Sequence, residues 1–283
     1  MKITVTDLHK KRLDNQTIVM LTSYDYPTAI IEDLCGIDIQ LVGDSVGTNV
    51  LGYSDVSEVT IDDMRHHLRA VSRGVKNSFI LCDMPYKSFQ STEDALSTAR
   101  QFMEDGADGI KIEGEGNVLE IIRHLTKGGT IPVCGHIGYK PQFDGPRARV
   151  QGKDSERAIK LCEAALALEN AGAFMIVLEL IPEKLAREIT NLLQIPTIGI
   201  GAGRYCSGQV QVVNDILGLS NRTFRHAKEY ASARGLYEQA VSSYAREVRN
   251  KAFPTQNNIA HIPDSSFSAV DTWLKNRSTF HDL

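Results

Sequence analysis

The amino-acid sequence predicts an α/β fold, a (β/α)8 barrel that forms one domain with extra helices after it. Short apolar runs alternate with amphipathic helical patterns along the chain, and this alternation is typical of parallel strands joined by helical crossovers. Most of the runs end in small or charged residues, as buried parallel strands do. A chain of 283 residues with 42% hydrophobic content is long enough to close one barrel. These three observations favour a closed barrel over an open, doubly wound sheet.

The strands are predicted from the short apolar runs, each bounded by glycine, proline or charged residues. The predicted strands span residues 18–25, 40–47, 79–85, 109–114, 131–136, 174–179 and 196–203, with 210–213 as the candidate for the eighth. A helical pattern separates most successive runs, so the strands are expected to run parallel to one another.

The helices are predicted from apolar periodicity and from capping residues. A short, charged helix is expected first, over residues 4–15. The predicted helices of the barrel span residues 29–36, 60–74, 92–106, 117–127, 155–170 and 182–193, and a loop rich in Gly, Pro and Arg is predicted over roughly 139–153. Thr60 is suited to begin one of them and Gly74 to stop it, because a hydroxyl caps free N–H groups and glycine tolerates the conformation beyond a helix.

The C-terminal part of the chain follows a different pattern. Residues 222–253 predict two helices with a break near Gly235. Residues 254–283 are polar, apart from one amphipathic patch around Trp273. We therefore predict a catalytic barrel domain over 1–253, with its leading and C-terminal helices. The tail, 254–283, is either a partly ordered appendage or a contact with a neighbouring subunit.

Composition and charge exclude several classes of function. The net charge of -4 is mild, and basic residues fall beside acidic ones, so neither nucleic acid nor a membrane surface is an expected partner. The five cysteines are scattered without the spacing of zinc ligands, so free thiols are expected. No secretory signal pattern and no apolar run long enough for a bilayer occur in the sequence. We therefore expect a cytoplasmic protein.

Polar residues end five successive predicted strands. They are Asp44, Asp83, Glu113, His136 and Glu179. A closed barrel brings the carboxyl ends of its strands to one mouth, where the chemistry of such barrels lies. Several carboxylates gathered there would repel one another unless a cation or a shared proton lies among them. Because the donors are oxygen atoms and no Cys/His cluster accompanies them, Mg²⁺ is preferred over zinc.

Simpler interpretations of the same residues remain open. Asp44 can cap the segment that follows it. Lys111 shares a strand face with Glu113, and the two can form a structural salt bridge instead of a substrate site. The glycines of 199–203 suggest a dinucleotide fingerprint, but they follow a late strand and not the first one. Close backbone packing at the barrel mouth is the better explanation of these glycines.

Four short motifs occur in order along the chain: Val42-Gly43-Asp44-Ser45, Lys111-Ile112-Glu113-Gly114, Pro132-Val133-Cys134-Gly135-His136-Ile137-Gly138 and Gly199-Ile200-Gly201-Ala202-Gly203. Together they resemble the ketopantoate hydroxymethyltransferase family, and the resemblance extends over residues 3–254. It implies a (β/α)8 barrel of the phosphoenolpyruvate mutase/isocitrate lyase type, magnesium dependence and a homo-oligomer, often a decamer. It also implies transfer of a hydroxymethyl group from 5,10-methylenetetrahydrofolate to 3-methyl-2-oxobutanoate, a step in pantothenate biosynthesis.

The resemblance further implies roles for individual residues at the matching positions. The positions implied to contact the substrate are Asp44, Ser45, Asp83, Lys111 and His136. Asp44 and Asp83 also match the aspartates of the family's metal site, and Glu113 matches its third acidic position. Glu179 matches the proton acceptor.

Several departures from the family pattern leave the substrates open. They are the loop 143–149, Ser207, Asn214 and the run Phe224-Arg225-His226. One alternative is a paralogue that acts on another 2-oxo acid. A second is a magnesium-dependent carbon–carbon lyase of the same barrel superfamily, although the catalytic-cysteine loop common among those lyases is not evident. A third is a non-catalytic binding subunit.

Overall fold

A computed structural model describes residues 1–145, 147–220 and 224–278 and contains a closed barrel of eight parallel strands. The strands are β1 (Ile18–Thr22), β2 (Ile39–Val42), β3 (Phe79–Asp83), β4 (Gly109–Glu113), β5 (Val133–Gly138), β6 (Met175–Glu179), β7 (Thr197–Ile200) and β8 (Gly208–Gln211). Each strand pairs with the next one in the chain, and β8 closes the barrel by pairing with β1. The predicted fold class is confirmed.

Helices connect the successive strands from β1 to β7, as the alternating pattern predicts, and further helices precede β1 and follow β8. They are α1 (Val5–Leu13), α2 (Tyr26–Leu34), α3 (Ile61–Gly74), α4 (Thr92–Glu104), α5 (Val118–Thr126), α6 (Pro141–Asp144), α7 (Ser155–Asn170), α8 (Glu183–Leu192), α9 (Val213–Ile216), α10 (Ala233–Arg249) and α11 (Asp264–Ser278). Thr60 caps α3 through a reciprocal pair of hydrogen bonds with Asp63. In the part of the chain that the structure describes, no helix has both the length and the apolar character to cross a bilayer.

Alternating side chains of the strands form two apolar layers. The inner layer, which fills the barrel, includes Ile18, Met20, Ile39, Leu41, Phe79, Leu81, Met175, Val177, Ile198 and Val210. The outer layer lies between strands and helices, where Val42 and Ile80 pack with Leu68 of α3. Fully burying one such side chain contributes about 1.5–3 kcal/mol. The rigid strands therefore hold the residues at their carboxyl ends in defined places.

Two differences from the prediction occur at the end of β5. The strand does not end at His136 but continues to Gly138, because it stays in register with β6 as far as Glu179. The segment after it, predicted as a loop, contains the short helix α6. Pro141 begins this helix, a position where its missing N–H leaves no hydrogen bond unmade.

The eighth strand starts earlier than predicted, at Gly208 instead of residue 210. A Cβ at Gly208 would lie 2.4 Å from the carbonyl oxygen of Ile18, so glycine permits this close pairing of β8 with β1. Val210 packs in the inner layer, whereas the side chain of Gln209 donates a hydrogen bond to the carbonyl of Gly203. Apolar residues alone therefore do not mark the start of this strand.

The chain divides into two compact units, Met1–Ala231 and Ser232–Leu283. In the second unit, α10 runs through Gly235 without interruption, so the predicted break near this residue is wrong. Gly235 lies in the first turn, where backbone N–H groups have no partner within the helix in any case. Residues 221–223, which include the predicted start of the first of those helices, lie outside the described residues. The tail that follows Pro254 contains α11, which carries Trp273.

Candidate active site

Six polar side chains from five successive strands form one connected set at the carboxyl end of the barrel. They are Asp44, Asp83, Lys111, Glu113, His136 and Glu179. The strand register contributes to this proximity, because Asp83 lies opposite Lys111 and Glu113 lies opposite His136. Five of the six residues are buried, and the side chain of Glu179 is 16% exposed. The structure thus brings these predicted site residues together at one mouth.

Lys111 forms ion pairs with two of the carboxylates. Its Nζ lies 2.9 Å from Oδ1 of Asp83 and 3.7 Å from Oε1 of Glu113. Burial by itself lowers the pKa of Lys111, but the charges of Asp83, Glu113 and Asp44 outweigh burial and raise its pKa above the ordinary value. Lys111 is therefore a buried cation at neutral pH, placed among acids and not on the surface.

His136 lies between two further carboxylates. Its Nδ1 is 3.2 Å from Oε1 of Glu113, and its Nε2 is 3.2 Å from Oε2 of Glu179. Burial lowers the pKa of His136 and the charge of Lys111 opposes protonation, yet the carboxylates of Glu113 and Glu179 raise the pKa to about 9. The ring is therefore an imidazolium at neutral pH and joins the two acids electrostatically.

Asp44 lies just beyond β2 and faces the same set. Its backbone N–H donates to Oδ2 of Asp83, and its own carboxylate accepts a hydrogen bond from Nε2 of Gln142. The side chain thus bonds across the site instead of capping the following segment. Burial, together with the charges of Asp83 and Glu113, raises the pKa of Asp44 well above its ordinary value. The ionised form of Asp44 is therefore costly in this buried, acidic surrounding.

Ser45 follows Asp44 and is half-buried beside a tyrosine that the sequence analysis did not single out. The hydroxyl of Tyr24 lies 2.8 Å from Oγ of Ser45. Burial raises the pKa of Tyr24 further above its ordinary value, so the phenol stays neutral. It therefore restrains the Ser45 hydroxyl without adding charge to the site.

Gln142 is a second residue that the sequence analysis missed. Nε2 donates to Oδ2 of Asp44 at 2.7 Å and to the carbonyl of Met84 at 2.9 Å. Its backbone N–H donates to Oε2 of Glu113 at 3.2 Å. Gln142 lies in α6, within a segment predicted as a loop, and no periodic pattern marks it. The residue before it, Pro141, was the available sign of a helix start.

The donor set fits a hard divalent cation. Among the residues that the structure describes, no group of three or more His, Cys, Asp or Glu side chains is arranged to enclose a metal ion. Mg²⁺ does not need such a cage, since it usually takes one or two carboxylates and completes its shell with water and substrate oxygens. Asp44, Asp83 and Glu113 supply buried carboxylate oxygens, and a bound cation would offset the cost of ionising the buried Asp44.

The sequence of the chain matches the model of a known protein family. The model of the family described as Ketopantoate hydroxymethyltransferase matches residues 2–256. The chain belongs to the ketopantoate hydroxymethyltransferase family. A 3-methyl-2-oxobutanoate hydroxymethyltransferase of Chloroflexus aurantiacus is 46% identical over 95% of this chain and 97% of its own length. One of Bacillus pumilus is 45% identical over 96% of this chain and 99% of its own. The family resemblance of the sequence is confirmed.

Solved structures support the barrel type of this ketopantoate hydroxymethyltransferase family member. A 2,3-dimethylmalate lyase, described as a PEP mutase/isocitrate lyase superfamily member, superposes with a TM-score of 0.60 at 14% identity and covers 99% of both chains. A phosphonopyruvate hydrolase in complex with oxalate and Mg²⁺ superposes with a TM-score of 0.60 at 11% identity, covering 97% of this chain and 98% of its own. At such identities the likeness shows the fold alone.

Some departures from the ketopantoate hydroxymethyltransferase pattern lie together beside β7 and β8. A cavity of about 850 Å³ there is lined in part by Leu180, Gly201, Arg204, Phe224 and His226. The rings of Phe224 and His226 stack with their centroids 5.5 Å apart. Leu180 directly follows Glu179 in the chain, but none of the six residues of the set lines this cavity. Ser207, another departure, exchanges hydrogen bonds with Thr197.

Proposed function

We propose that this chain transfers a hydroxymethyl group from 5,10-methylenetetrahydrofolate to 3-methyl-2-oxobutanoate and forms 2-dehydropantoate, in pantothenate biosynthesis. The observation that carries the proposal is the imidazolium of His136, which lies between the carboxylates of Glu113 and Glu179. The buried Lys111 pairs with the same Glu113, and the chain belongs to this family. The names of relatives that match nearly the whole chain support the same reaction.

The acceptor, a 2-oxo acid, is an anion that suits the cations of the site. Lys111 is protonated at neutral pH and buried, so it can form a strong, charge-assisted hydrogen bond with a substrate oxygen. The two N–H groups of His136 face Glu113 and Glu179, so His136 attracts the substrate anion through its positive charge. Ser45 offers a hydroxyl to the substrate carboxylate, and Tyr24 restrains that hydroxyl. Lys111, His136 and Ser45 together bind and orient the oxo acid.

We assign Asp44, Asp83 and Glu113 to hold Mg²⁺. When bound, the ion would withdraw electrons from the 2-oxo group and make the proton on C3 of the substrate more acidic. The chain itself pre-orders these carboxylates: the N–H of Asp44 bonds to Asp83, and Lys111 is paired with Oδ1 of Asp83. Little reorganisation is then needed when ligands enter.

Glu179 is the residue assigned to remove the C3 proton. Nε2 of His136 faces Oε2 of Glu179, which orients the carboxylate, and the side chain remains partly open at the barrel mouth. Proton removal by a placed carboxylate contributes roughly 10²–10⁴ in rate. The resulting enolate carbon forms a bond to the methylene carbon of the donor, and both bonds from that methylene carbon to folate nitrogens break. Water supplies the hydroxyl, and the proton taken by Glu179 and the second proton of the water pass to the two folate nitrogens.

We also propose a cytoplasmic homo-oligomer, with the decamer as the number implied by the family resemblance, and neither nucleic acid nor a membrane as a partner. Light scattering after size exclusion tests the number. A decamer has about ten times the 31.3 kDa mass of one chain, and a single species at the mass of one chain would contradict the proposal.

The test of the reaction is proton–deuterium exchange at C3 of 3-methyl-2-oxobutanoate, followed by NMR with Mg²⁺, with and without tetrahydrofolate. We expect exchange that requires Mg²⁺ and is lost in Glu179→Ala, and formation of 2-dehydropantoate when the one-carbon donor is present. If the wild-type chain catalyses no exchange under any of these conditions, the proposed reaction is wrong.

A second candidate, the same chemistry on a different 2-oxo acid, is favoured by the departures at Phe224 and His226, which line the cavity beside β7 and β8. Steady-state assays over a panel of branched 2-oxo acids decide between the two. Turnover of 3-methyl-2-oxobutanoate alone excludes the second candidate.

A further inference from the structure

Gln142 links two acidic positions of the site. Its side-chain amide donates to Asp44 and its backbone N–H donates to Glu113, so one residue of α6 spans both carboxylates. The residue is buried, with 5% of its surface exposed. Among the described residues, Gln142 forms no hydrogen bond with His136 or Glu179. Gln142 therefore belongs to the carboxylate side of the site, away from the proposed base.

The amide of Gln142 has a defined orientation. Both hydrogen-bond partners of Nε2, the carboxylate of Asp44 and the carbonyl of Met84, are acceptors, so the NH₂ end must face them. This leaves Oε1 on the other branch of the same amide. Oε1 is buried and has no hydrogen-bond partner within the described part of the chain. A buried acceptor without a donor is costly, and native structures usually provide a partner.

The missing partner must be a hydrogen-bond donor. The acceptor substrate has only a carboxylate and an oxo group, which are themselves acceptors, so it cannot supply the hydrogen. Water in the shell of a bound cation is a donor, and Mg²⁺ retains several such waters. The hydroxyl created by the transfer and the N–H groups of the folate are the other donors that the reaction supplies. The bonds of Gln142 to Asp44 and Glu113, the assigned metal carboxylates, favour the cation's water.

We propose that Gln142 is a positioning residue of the magnesium site, which orients Asp44 through Nε2 and accepts a hydrogen bond from a water of the bound ion through Oε1. This role rests on the proposed function, because that function assigns Mg²⁺ to Asp44, Asp83 and Glu113. It adds to the site a residue outside the strands, held in place by the short helix that follows β5.

Calorimetric titration of the full-length chain with Mg²⁺ alone tests the role without relying on turnover. Gln142→Met keeps the length of the side chain but removes both polar atoms, and we expect its Kd for Mg²⁺ to rise about 10–100-fold, as is typical when a partner of a metal ligand is lost. The matched control is Gln194→Met, at an exposed position, which should bind Mg²⁺ as wild type does.

A second variant separates the two atoms and guards against a folding defect. Gln142→Glu keeps an oxygen in place of Oε1 and should bind Mg²⁺ at least tenfold more tightly than Gln142→Met. Circular dichroism and Tm, measured for each variant, identify any that are unfolded. A Kd of Gln142→Met for Mg²⁺ within twofold of the wild-type Kd overturns the role of Gln142 alone. The same holds if a separate titration shows that Gln142→Met weakens the binding of 2-dehydropantoate but not that of Mg²⁺. If wild type does not bind Mg²⁺, the metal part of the proposed function also fails.

Discussion

The imidazole of His136 connects two carboxylates, with Nε2 3.2 Å from Oε2 of Glu179 and Nδ1 3.2 Å from Oε1 of Glu113. The ring lies on β5, between strands β4 and β6 that carry its partners. With a pKa of about 9 the ring stays protonated through the physiological range, so each carboxylate faces a positive charge. One side chain therefore links the proposed base to the proposed metal site.

Replacement of the base should separate chemistry from binding. In Glu179→Gln, the side-chain amide nearly reproduces the shape of the carboxylate but cannot accept the C3 proton of the substrate. We expect C3 exchange to fall by roughly 10²–10⁴-fold. The Kd for Mg²⁺ should change little, since Glu179 is not among the assigned metal ligands. Exchange within threefold of wild type would remove Glu179 from its assigned role.

Removal of the buried cation should destabilise the barrel as well as weaken substrate binding. Lys111→Met leaves Asp83 and Glu113 buried without their ion-pair partner, and such a loss costs about 3–5 kcal/mol. Urea unfolding without added ligand measures the change in free energy. The control Lys160→Met breaks an exposed pair with Glu156, and we expect a cost below about 1 kcal/mol. Equal costs for the two variants would contradict the burial argument.

Gly138 should control the position of the proposed base. Its φ is +102°, and a Cβ there would lie 2.1 Å from the backbone carbonyl oxygen of Glu179. Gly138→Ala must therefore displace the end of β6, and we expect kcat/KM to fall on the order of 10²-fold, as for a misplacement of about 1 Å.

Gly36→Ala is the matched control for this substitution. Gly36 also has a positive φ, of +77°, but no heavy atom lies within 4 Å of the Cβ position. Only the backbone cost of roughly 1–2 kcal/mol is expected, with kcat/KM unchanged. An equal loss of kcat/KM in both variants would indicate a global effect instead of displacement of Glu179.

Glu32 should make stability depend on pH. This residue of α2 is buried, and burial, aided by the charge of Asp25, raises its pKa from 4.5 to about 8 although Ser23 opposes the shift. Between these values the unfolded chain has released the proton and the folded chain retains it, so rising pH favours unfolding. The free energy of unfolding begins to fall near pH 4.5 and stops falling above pH 8. The total decrease is roughly 3–5 kcal/mol, at 1.36 kcal/mol per pKa unit.

Glu32→Gln tests this, because the amide does not titrate. Urea unfolding at pH 5, 7 and 9 should show the variant gaining stability over wild type as pH rises, by up to that amount at pH 9. The control Glu104→Gln, at an exposed position at the end of α4, should track wild type at every pH. A constant difference between Glu32→Gln and wild type would show that Glu32 does not titrate abnormally.

Local patterns in the sequence determined much of the fold. The limits of α7 agree with the prediction at both ends, and Thr60 caps α3 as its position before an amphipathic run predicts. Acids and a histidine at strand ends predicted that the polar residues would share one mouth. These features depend on neighbouring residues, on hydrophobic period and on the topology that a strand–helix alternation imposes, so they can be recognised along the chain.

Contacts between distant segments decided the rest. Gln142 bonds to Asp44, which lies 98 positions earlier in the chain, so its part in the site depends on how α6 is placed after β5. The start of β8 depends on how closely Gly208 approaches Ile18. Which carboxylate pairs with Lys111, and which two face His136, depends on strand register. The sequence alone determined that the strand-end acids, Lys111 and His136 reach the barrel mouth. Only tertiary packing added Gln142 and Tyr24 and decided which groups are partners, because pKa values and hydrogen bonds depend on distances between separate segments.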